Sequence, residues 1–110
     1  MAYIPDRGDL VWMQMNPQAG REQAGHRPAF IVSPKTYNGK VGLALICPLT
    51  TKAKGYPFEV PIQGQTIQGV ILADQVKSLD WKARRARLVE KADDAVVSEV
   101  LAKIEVLIRD

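Results

Sequence analysis

The sequence has one cysteine and one histidine among its 110 residues, and this scarcity excludes several classes of site. Cys47 has no partner for a disulfide within the chain and lies in an apolar run. We interpret it as a buried hydrophobic side chain in a protein of a reducing compartment. Cysteine and histidine spacings typical of zinc sites are absent, as are the glycine patterns of P-loops and dinucleotide-binding motifs. The sequence therefore predicts no bound metal and no nucleotide cofactor.

Long apolar segments are also missing. No stretch approaches the roughly 18 consecutive apolar residues of a transmembrane helix, and the N-terminus lacks the basic and then apolar pattern of a secretory signal. These features predict a cytoplasmic protein with no membrane contact.

The charge balance is slightly basic. Fifteen Lys and Arg residues against twelve Asp and Glu residues give a net charge of +3 and a pI near 9.2. Such a balance favours a polyanionic partner such as nucleic acid, although an ordinary soluble surface has the same composition.

The pattern of apolar residues predicts one domain, residues 1–110, that is mainly β. Asn38 and Gly39 both tolerate positive φ, so we expect a hairpin turn that makes the second and third strands antiparallel neighbours. The polar segment 16–26 is predicted to be a mobile loop. Alternating or continuous apolar residues predict strands at 10–15, 28–33, 41–48, 58–62, 66–72, 76–79 and 86–89.

The apolar period changes near the C-terminus and indicates a helix over residues 93–108. Asp93 and Asp94 suit its N-terminus, and Arg109 suits the other end. The predicted fold is a small, highly curved antiparallel β-barrel with one C-terminal amphipathic helix. Its apolar residues recur at steps of three and four: Val96, Val97, Val100, Leu101, Ile104, Leu107 and Ile108.

Two parts of the chain carry side chains suited to binding and cleaving a phosphodiester. Arg27 follows a glycine-containing loop and precedes Pro28, which restricts the backbone where a strand begins. Thr50 and Thr51 end the strand that is predicted to pair with it, so that their hydroxyls lie within reach of the same phosphate. From the residues alone, a solvated arginine and ordinary strand-forming threonines are the alternative interpretation.

Four blocks of sequence closely resemble the MazF/PemK family of toxin endoribonucleases. They are residues 8–12 (GDLVW), 20–29 (GREQAGHRPA), 48–57 (PLTTKAKGYP) and 72–78 (LADQVKS), and the resemblance runs from about Tyr3 to Ile108. It implies the SH3-like barrel shared with the gyrase-inhibiting toxin CcdB. It also implies metal-independent, sequence-specific cleavage of single-stranded mRNA to 2′,3′-cyclic phosphate and 5′-hydroxyl ends, a homodimer, and a cognate MazE-like antitoxin with an acidic disordered tail.

The resemblance also assigns roles to individual residues. Arg27 matches the central catalytic residue and Thr50 the catalytic threonine. Because a guanidinium gives up its proton poorly near neutral pH, we assign Arg27 mainly to electrostatic stabilisation. Glu22 is our first choice as general base and His26 the second. The alternative for Glu22 is a solvated loop charge, and the alternative for His26 is loop packing or RNA contact. The predicted RNA contacts are Asn16, Thr51, Lys52, Lys54, Gln75 and Lys77. Among them, Lys52 and Lys54 are interpreted as phosphate anchors.

Some positions leave more than one interpretation open. Gln14, Met15 and Asn16 stand where close relatives often place acidic and aromatic residues, so the recognition sequence is open. Asp74 suits either a barrel corner or the edge of an RNA groove. Trp81 and the basic residues that follow it resemble a nucleic-acid patch, although we favour a solvated face near a dimer interface.

Two alternatives come from other functional classes. One is a CcdB-like gyrase-inhibiting toxin, but that family depends on a C-terminal Trp-Gly-Ile and this chain ends in VLIRD. The other is a non-catalytic SH3-like RNA-binding module, in which Arg27 contributes affinity only. A homodimer is expected separately, because the first strand and the C-terminal helix carry more apolar surface than one small barrel can cover.

Overall fold

The computed structural model describes residues 2–15 and 26–109, which contain seven strands and two helices. The prediction of a mainly β chain with a C-terminal helix is confirmed, and the antiparallel strands form a half-barrel. Most of the predicted loop, residues 16–25, lies outside the described residues. In chain order the elements are β1 (Asp9–Gln14), β2 (His26–Ile31), α1 (Lys35–Val41), β3 (Ala44–Thr50), β4 (Glu59–Gln63), β5 (Gln68–Leu72), β6 (Lys77–Leu79), β7 (Arg87–Lys91) and α2 (Asp94–Arg109).

The strand β3 connects the two halves of the curved sheet. The neighbours follow the order β4-β5-β3-β2-β1-β7, and β6 also pairs with β3. The first part of β3 pairs with β6 from Ala44 to Ile46, whereas Leu49 and Thr50 pair with β5. Because one strand changes partners along its length, its C-terminal end lies where the two halves of the sheet meet.

Each face of the sheet covers a separate hydrophobic cluster. Leu10 and Phe30 belong to the cluster under α2, where Val100 is completely buried. Val11 and Met13 belong to the cluster on the opposite face. This alternation is the pattern of period two that the sequence predicted for the first strand.

The predicted hairpin turn at Asn38 and Gly39 is wrong, because these residues lie inside the helix α1. Asn38 is completely buried, and its side-chain amide donates hydrogen bonds of 2.8 Å and 2.9 Å to the carbonyl oxygens of Pro5 and Ser33. The helix ends at Gly42, whose φ of +84° is left-handed, and β3 therefore begins at Ala44 rather than residue 41. The predicted antiparallel pairing of β2 with β3 is nevertheless confirmed.

The C-terminal helix is confirmed, and its first hydrogen bonds form at the predicted N-terminus. The carbonyl oxygen of Asp93 accepts hydrogen bonds from the backbone N–H groups of Val96 and Val97, both 3.0 Å long. The last turn is exposed, including the apolar side chains of Leu107 and Ile108. Neither described helix has the length and apolar composition that a bilayer crossing requires.

Candidate nucleic-acid cleavage site

The structure brings Arg27 and Thr50 together at one edge of the half-barrel. Ala29 in β2 pairs with Pro48 in β3, and Arg27 and Thr50 each lie two residues beyond this last described pair. Side chains two residues apart on a strand share a face of the sheet. Residues that are directly opposed in an antiparallel pair project from the same face of the sheet. Both side chains therefore point to one side, and both line the same two cavities.

The first cavity, of about 620 Å³, contains most of the predicted RNA contacts. Lys52 and Lys54 approach it from the segment between β3 and β4, and Gln75 and Lys77 approach it from the turn between β5 and β6 and from β6 itself. With Arg27, three lysines and one glutamate among the lining residues, the cavity has a net positive charge. A cavity of this size and charge suits a segment of a phosphodiester chain.

A second cavity, of about 420 Å³, is also lined by Arg27 and Thr50. Two residues predicted from the sequence, His26 and Thr51, line this cavity together with Arg27 and Thr50. The half-buried Trp12 adds an aromatic surface, which in nucleic-acid sites stacks against a base. Arg27 and Thr50 are thus shared by two adjoining cavities.

The backbone determines which way the Thr50 hydroxyl can act. Its Oγ1 atom accepts a hydrogen bond of 3.1 Å from the backbone N–H of Lys52, in a turn that follows the strand. A hydroxyl that accepts one hydrogen bond still has its own proton to donate. Thr50 is therefore able to donate a hydrogen bond to an oxygen atom that enters either cavity.

Other residues singled out in the sequence occupy different places. Glu22 and Asn16 lie outside the described residues. Gln14 contributes its backbone carbonyl, which accepts a 3.0 Å hydrogen bond from the Arg84 guanidinium. Arg84, one of the basic residues that follow Trp81, thus stabilises the end of β1. The Trp81 indole donates a 3.0 Å hydrogen bond to the carbonyl oxygen of Asn38, and this bond connects the start of the basic segment to α1.

Sequence reasoning did not single out two polar residues of the first cavity, Tyr56 and Glu59. The Tyr56 hydroxyl donates a 2.8 Å hydrogen bond to Asp74, and this bond is the main reason that the pKa of Tyr56 is raised above its ordinary 10.0. Tyr56 lies in the same sequence block as the lysines, and Glu59 follows it closely. Only the fold, however, shows that Asp74 reaches this block.

Cys47 lies in the core and takes no part in this site. Burial, together with the nearby charge of Asp74, raises the pKa of its thiol to about 12. The thiol is consequently protonated at neutral pH, which suits a packing residue rather than a nucleophile.

An open antiparallel sheet, a C-terminal helix and a cationic edge with an arginine beside a threonine hydroxyl define a small β protein suited to binding a phosphodiester chain. Solved structures share this fold. MazF of Deinococcus radiodurans superimposes with a TM-score of 0.87 at 49% sequence identity, covering 97% of this chain and 98% of that one. A MazE–MazF complex from the same organism gives a TM-score of 0.87 at 44% identity and covers 97% of each chain.

Sequence comparison agrees with the structural one. The chain is 52% identical over 106 residues to the endoribonuclease toxin MazF of Escherichia coli K12, and this match covers 96% of both proteins. It is 34% identical over 109 residues to the endoribonuclease toxin ChpB of the same strain. A family model described as the PemK-like, MazF-like toxin of type II toxin-antitoxin systems matches residues 6–108. The chain therefore belongs to the PemK/MazF family of toxins.

Proposed function

We propose that this chain is an endoribonuclease that cleaves single-stranded mRNA at a short sequence, without a metal, and leaves 2′,3′-cyclic phosphate and 5′-hydroxyl ends. The main support is the position of Arg27 and Thr50, which together line the same two cavities. A scissile phosphate has nucleotides on both sides, so this arrangement suits a chain that runs from one cavity into the other. The relatives named endoribonuclease support the same reaction.

The chemistry requires few protein groups because RNA carries its own nucleophile. The 2′-hydroxyl loses its proton and attacks the adjacent phosphorus, and the bond to the 5′-oxygen breaks as that oxygen is protonated. Arg27 and Thr50 would stabilise the negative charge on the phosphorane oxygens. In comparable acyl-transfer sites one preorganised donor is worth about 2.7 to 4 kcal/mol. Single-stranded RNA suits this reaction, since a regular A-form helix does not allow the in-line geometry.

A general base is also required, and we propose Glu22 first and His26 second. His26 begins β2, next to Arg27, and lines the second cavity. Histidine changes its charge close to neutral pH and is able to accept the 2′-hydroxyl proton there. Glu22 precedes Arg27 by five residues and matches the acidic position of the family.

An acidic antitoxin is the proposed partner. MazE is bound to MazF in the D. radiodurans complex, and this chain covers 97% of the chain it matches there. The cationic lining of the first cavity is complementary to a disordered acidic segment, which would compete with RNA for the same space. A toxin of one domain, residues 1–110, that acts on mRNA and is held by such an antitoxin would work in the cytoplasm.

Cleavage of a long single-stranded RNA in the presence of EDTA tests the proposal. We expect the unmodified protein to cut, and Arg27→Ala to cut at least about 100-fold more slowly, the loss typical of one oxyanion donor. Arg27→Lys keeps the charge without the planar fork of donors, so it should recover only part of the rate. Lys40→Ala, on the exposed side of α1, is the control for loss of a positive charge.

The chemical ends of the products test the reaction, and three other outcomes would contradict the proposal. Direct labelling of new 5′ ends by a kinase, without a phosphatase, would confirm 5′-hydroxyl products, and mapping those ends would give the recognition sequence. Wild-type rates for Arg27→Ala would remove Arg27 from the mechanism. Binding without cleavage of varied RNAs would support the RNA-binding module, and gyrase-dependent DNA breaks without RNA cleavage would support a CcdB-like toxin.

A further inference from the structure

The segment between β3 and β4, residues 51–58, presents two of the cations of the first cavity. We call it the lysine loop, after Lys52 and Lys54, and it forms neither helix nor strand. A lysine on an unrestrained segment loses conformational freedom when it binds a phosphate, and this loss weakens binding. The contacts that restrain the loop therefore affect how well the two lysines bind a polyanion.

Glu59 restrains the loop from its own strand. Its two carboxylate oxygens accept hydrogen bonds from the backbone N–H groups of Lys54 and Gly55, at 2.8 Å and 2.9 Å. Gly55 has a φ of +83°, and this left-handed residue helps to direct both N–H groups at the carboxylate. The only carboxylate among the described residues that line the cavity thus binds the lysine loop itself.

Tyr56 attaches the loop to the turn between β5 and β6. Its hydroxyl donates a 2.8 Å hydrogen bond to Asp74, which immediately precedes Gln75 in the turn between β5 and β6. The bond joins two parts of the chain that are 18 residues apart and that both line the first cavity. In addition, Lys103 in α2 donates a 2.7 Å hydrogen bond to the carbonyl oxygen of Pro57.

We infer that Tyr56, Asp74 and Glu59 are positioning residues that align Lys52 and Lys54 for the RNA backbone before the substrate binds. This inference rests on the proposed function. Two carboxylates near a binding site for a polyanion would oppose binding if they were free, because like charges repel. Here each accepts hydrogen bonds from the loop that carries the cations. Their removal should therefore weaken substrate binding and leave the chemical step at Arg27 intact.

Steady-state cleavage of an RNA with one scission site tests this inference. We expect Tyr56→Phe and Asp74→Ala each to raise KM about three- to tenfold, the factor that corresponds to one ordinary hydrogen bond, with kcat unchanged. Asp74→Asn retains an acceptor oxygen and should restore KM to near the wild-type value. The double variant Tyr56→Phe/Asp74→Ala should be no worse than the poorer single variant, because both remove the same bond.

The salt dependence separates positioning from general destabilisation. If a lysine no longer binds its phosphate, the slope of log KM against log salt concentration should fall by about 0.7 for each phosphate of a single strand that is no longer neutralised. Tyr37→Phe, which changes an exposed tyrosine on α1, is the matched control and should leave KM and slope unchanged. A fall in kcat at constant KM, or Asp74→Asn as impaired as Asp74→Ala, would overturn the inference.

Hydrogen exchange of the free protein keeps this test independent of the RNA activity. Tyr56→Phe and Glu59→Gln should accelerate amide exchange in the lysine loop, with little change in β1 or β2. Unchanged exchange would overturn the positioning role even if the wild-type protein cuts RNA. Faster exchange in a protein that neither binds nor cuts RNA would instead contradict the proposed function and, with it, the role in RNA binding.

Discussion

At the scale of single residues, Gly69 determines where Thr50 can lie. Its φ is +141°, and a methyl group at this position would collide with the carbonyl oxygen of Thr50. Gly69→Ala should therefore force β3 and β5 apart beside the site. We expect a loss of about 1 to 3 kcal/mol in the free energy of unfolding. Urea unfolding and RNA cleavage should both report the change.

The matched control for this substitution is Gly42→Ala. Gly42 is also left-handed, with a φ of +84°, but no atom of the described residues beyond its chain neighbours lies within 4 Å of the position that a methyl group would occupy. This variant should lose only the free energy needed to hold alanine in the left-handed conformation, about 1 to 2 kcal/mol, and should keep its cleavage rate when it is folded. Equal cleavage rates for the two folded variants would contradict a role of Gly69 in placing Thr50.

The two parts of the site differ in how far the sequence predicts them. Arg27 lies near the start of β2 and Thr50 ends β3, its antiparallel neighbour, so strand pairing predicts their proximity and the family resemblance gives their roles. The bond between Tyr56 and Asp74 depends instead on how the half-barrel curves, and no local pattern encodes that. Contacts between loops can be predicted only once the fold is known, whereas contacts across one pair of strands can be predicted from the register of that pair.

At the scale of elements, Glu90 in β7 secures the turn between β4 and β5. Its carboxylate accepts hydrogen bonds of 2.9 Å, 2.9 Å and 2.7 Å from the backbone N–H groups of Gln65, Thr66 and Ile67. The N–H groups of Ile67 and Thr66 are the largest causes that lower the pKa of Glu90 from its ordinary 4.5. The charged form is therefore favoured in the folded protein.

The direction of this pKa shift predicts how stability changes with pH. The contribution of Glu90 is complete above pH 4.5 and disappears as the pH falls through the lower pKa of the folded state. Glu90→Gln removes the charge and keeps a similar shape. The difference between the urea midpoints of the two proteins should be largest at pH 7 and should shrink progressively as the pH falls below 4.5. A constant difference between the midpoints would show that the carboxylate charge is not responsible.

The helix α1 shows why one element was mistaken for a turn. Asn-Gly pairs favour hairpin turns, but that preference is local and weaker than burial in a specific environment. Asn38 has two buried carbonyl acceptors, and the Ser33 hydroxyl donates a hydrogen bond to its side-chain oxygen. These partners come from the N-terminal segment and from the residues that follow β2, so they are brought together only in the folded chain. By contrast, α2 has a long apolar period that needs no such partner to be recognised.

At the scale of the whole molecule, the apolar surface that one chain leaves uncovered supports the proposal of a homodimer. Strand β1 adds little uncovered apolar surface, because Leu10 and Val11 are completely buried within the chain. The end of α2 does contribute, since Val106, Leu107 and Ile108 are 62%, 51% and 77% exposed. Adjacent large apolar side chains at such exposure are typical of an interaction surface.

We propose that a second copy of the chain covers this surface, so that two copies associate through the last turn of α2. Light scattering at micromolar concentration should then give about twice the chain mass of 12.2 kDa. Leu107→Lys should shift the protein towards the monomer, because burying an unpaired ammonium in an interface is strongly unfavourable. Val41→Lys is the control, since Val41 is similarly exposed, at 49%, but lies on α1. If both variants keep the mass of the wild-type dimer, copies of the chain associate through another surface. A wild-type protein with the mass of one chain would exclude the dimer at that concentration.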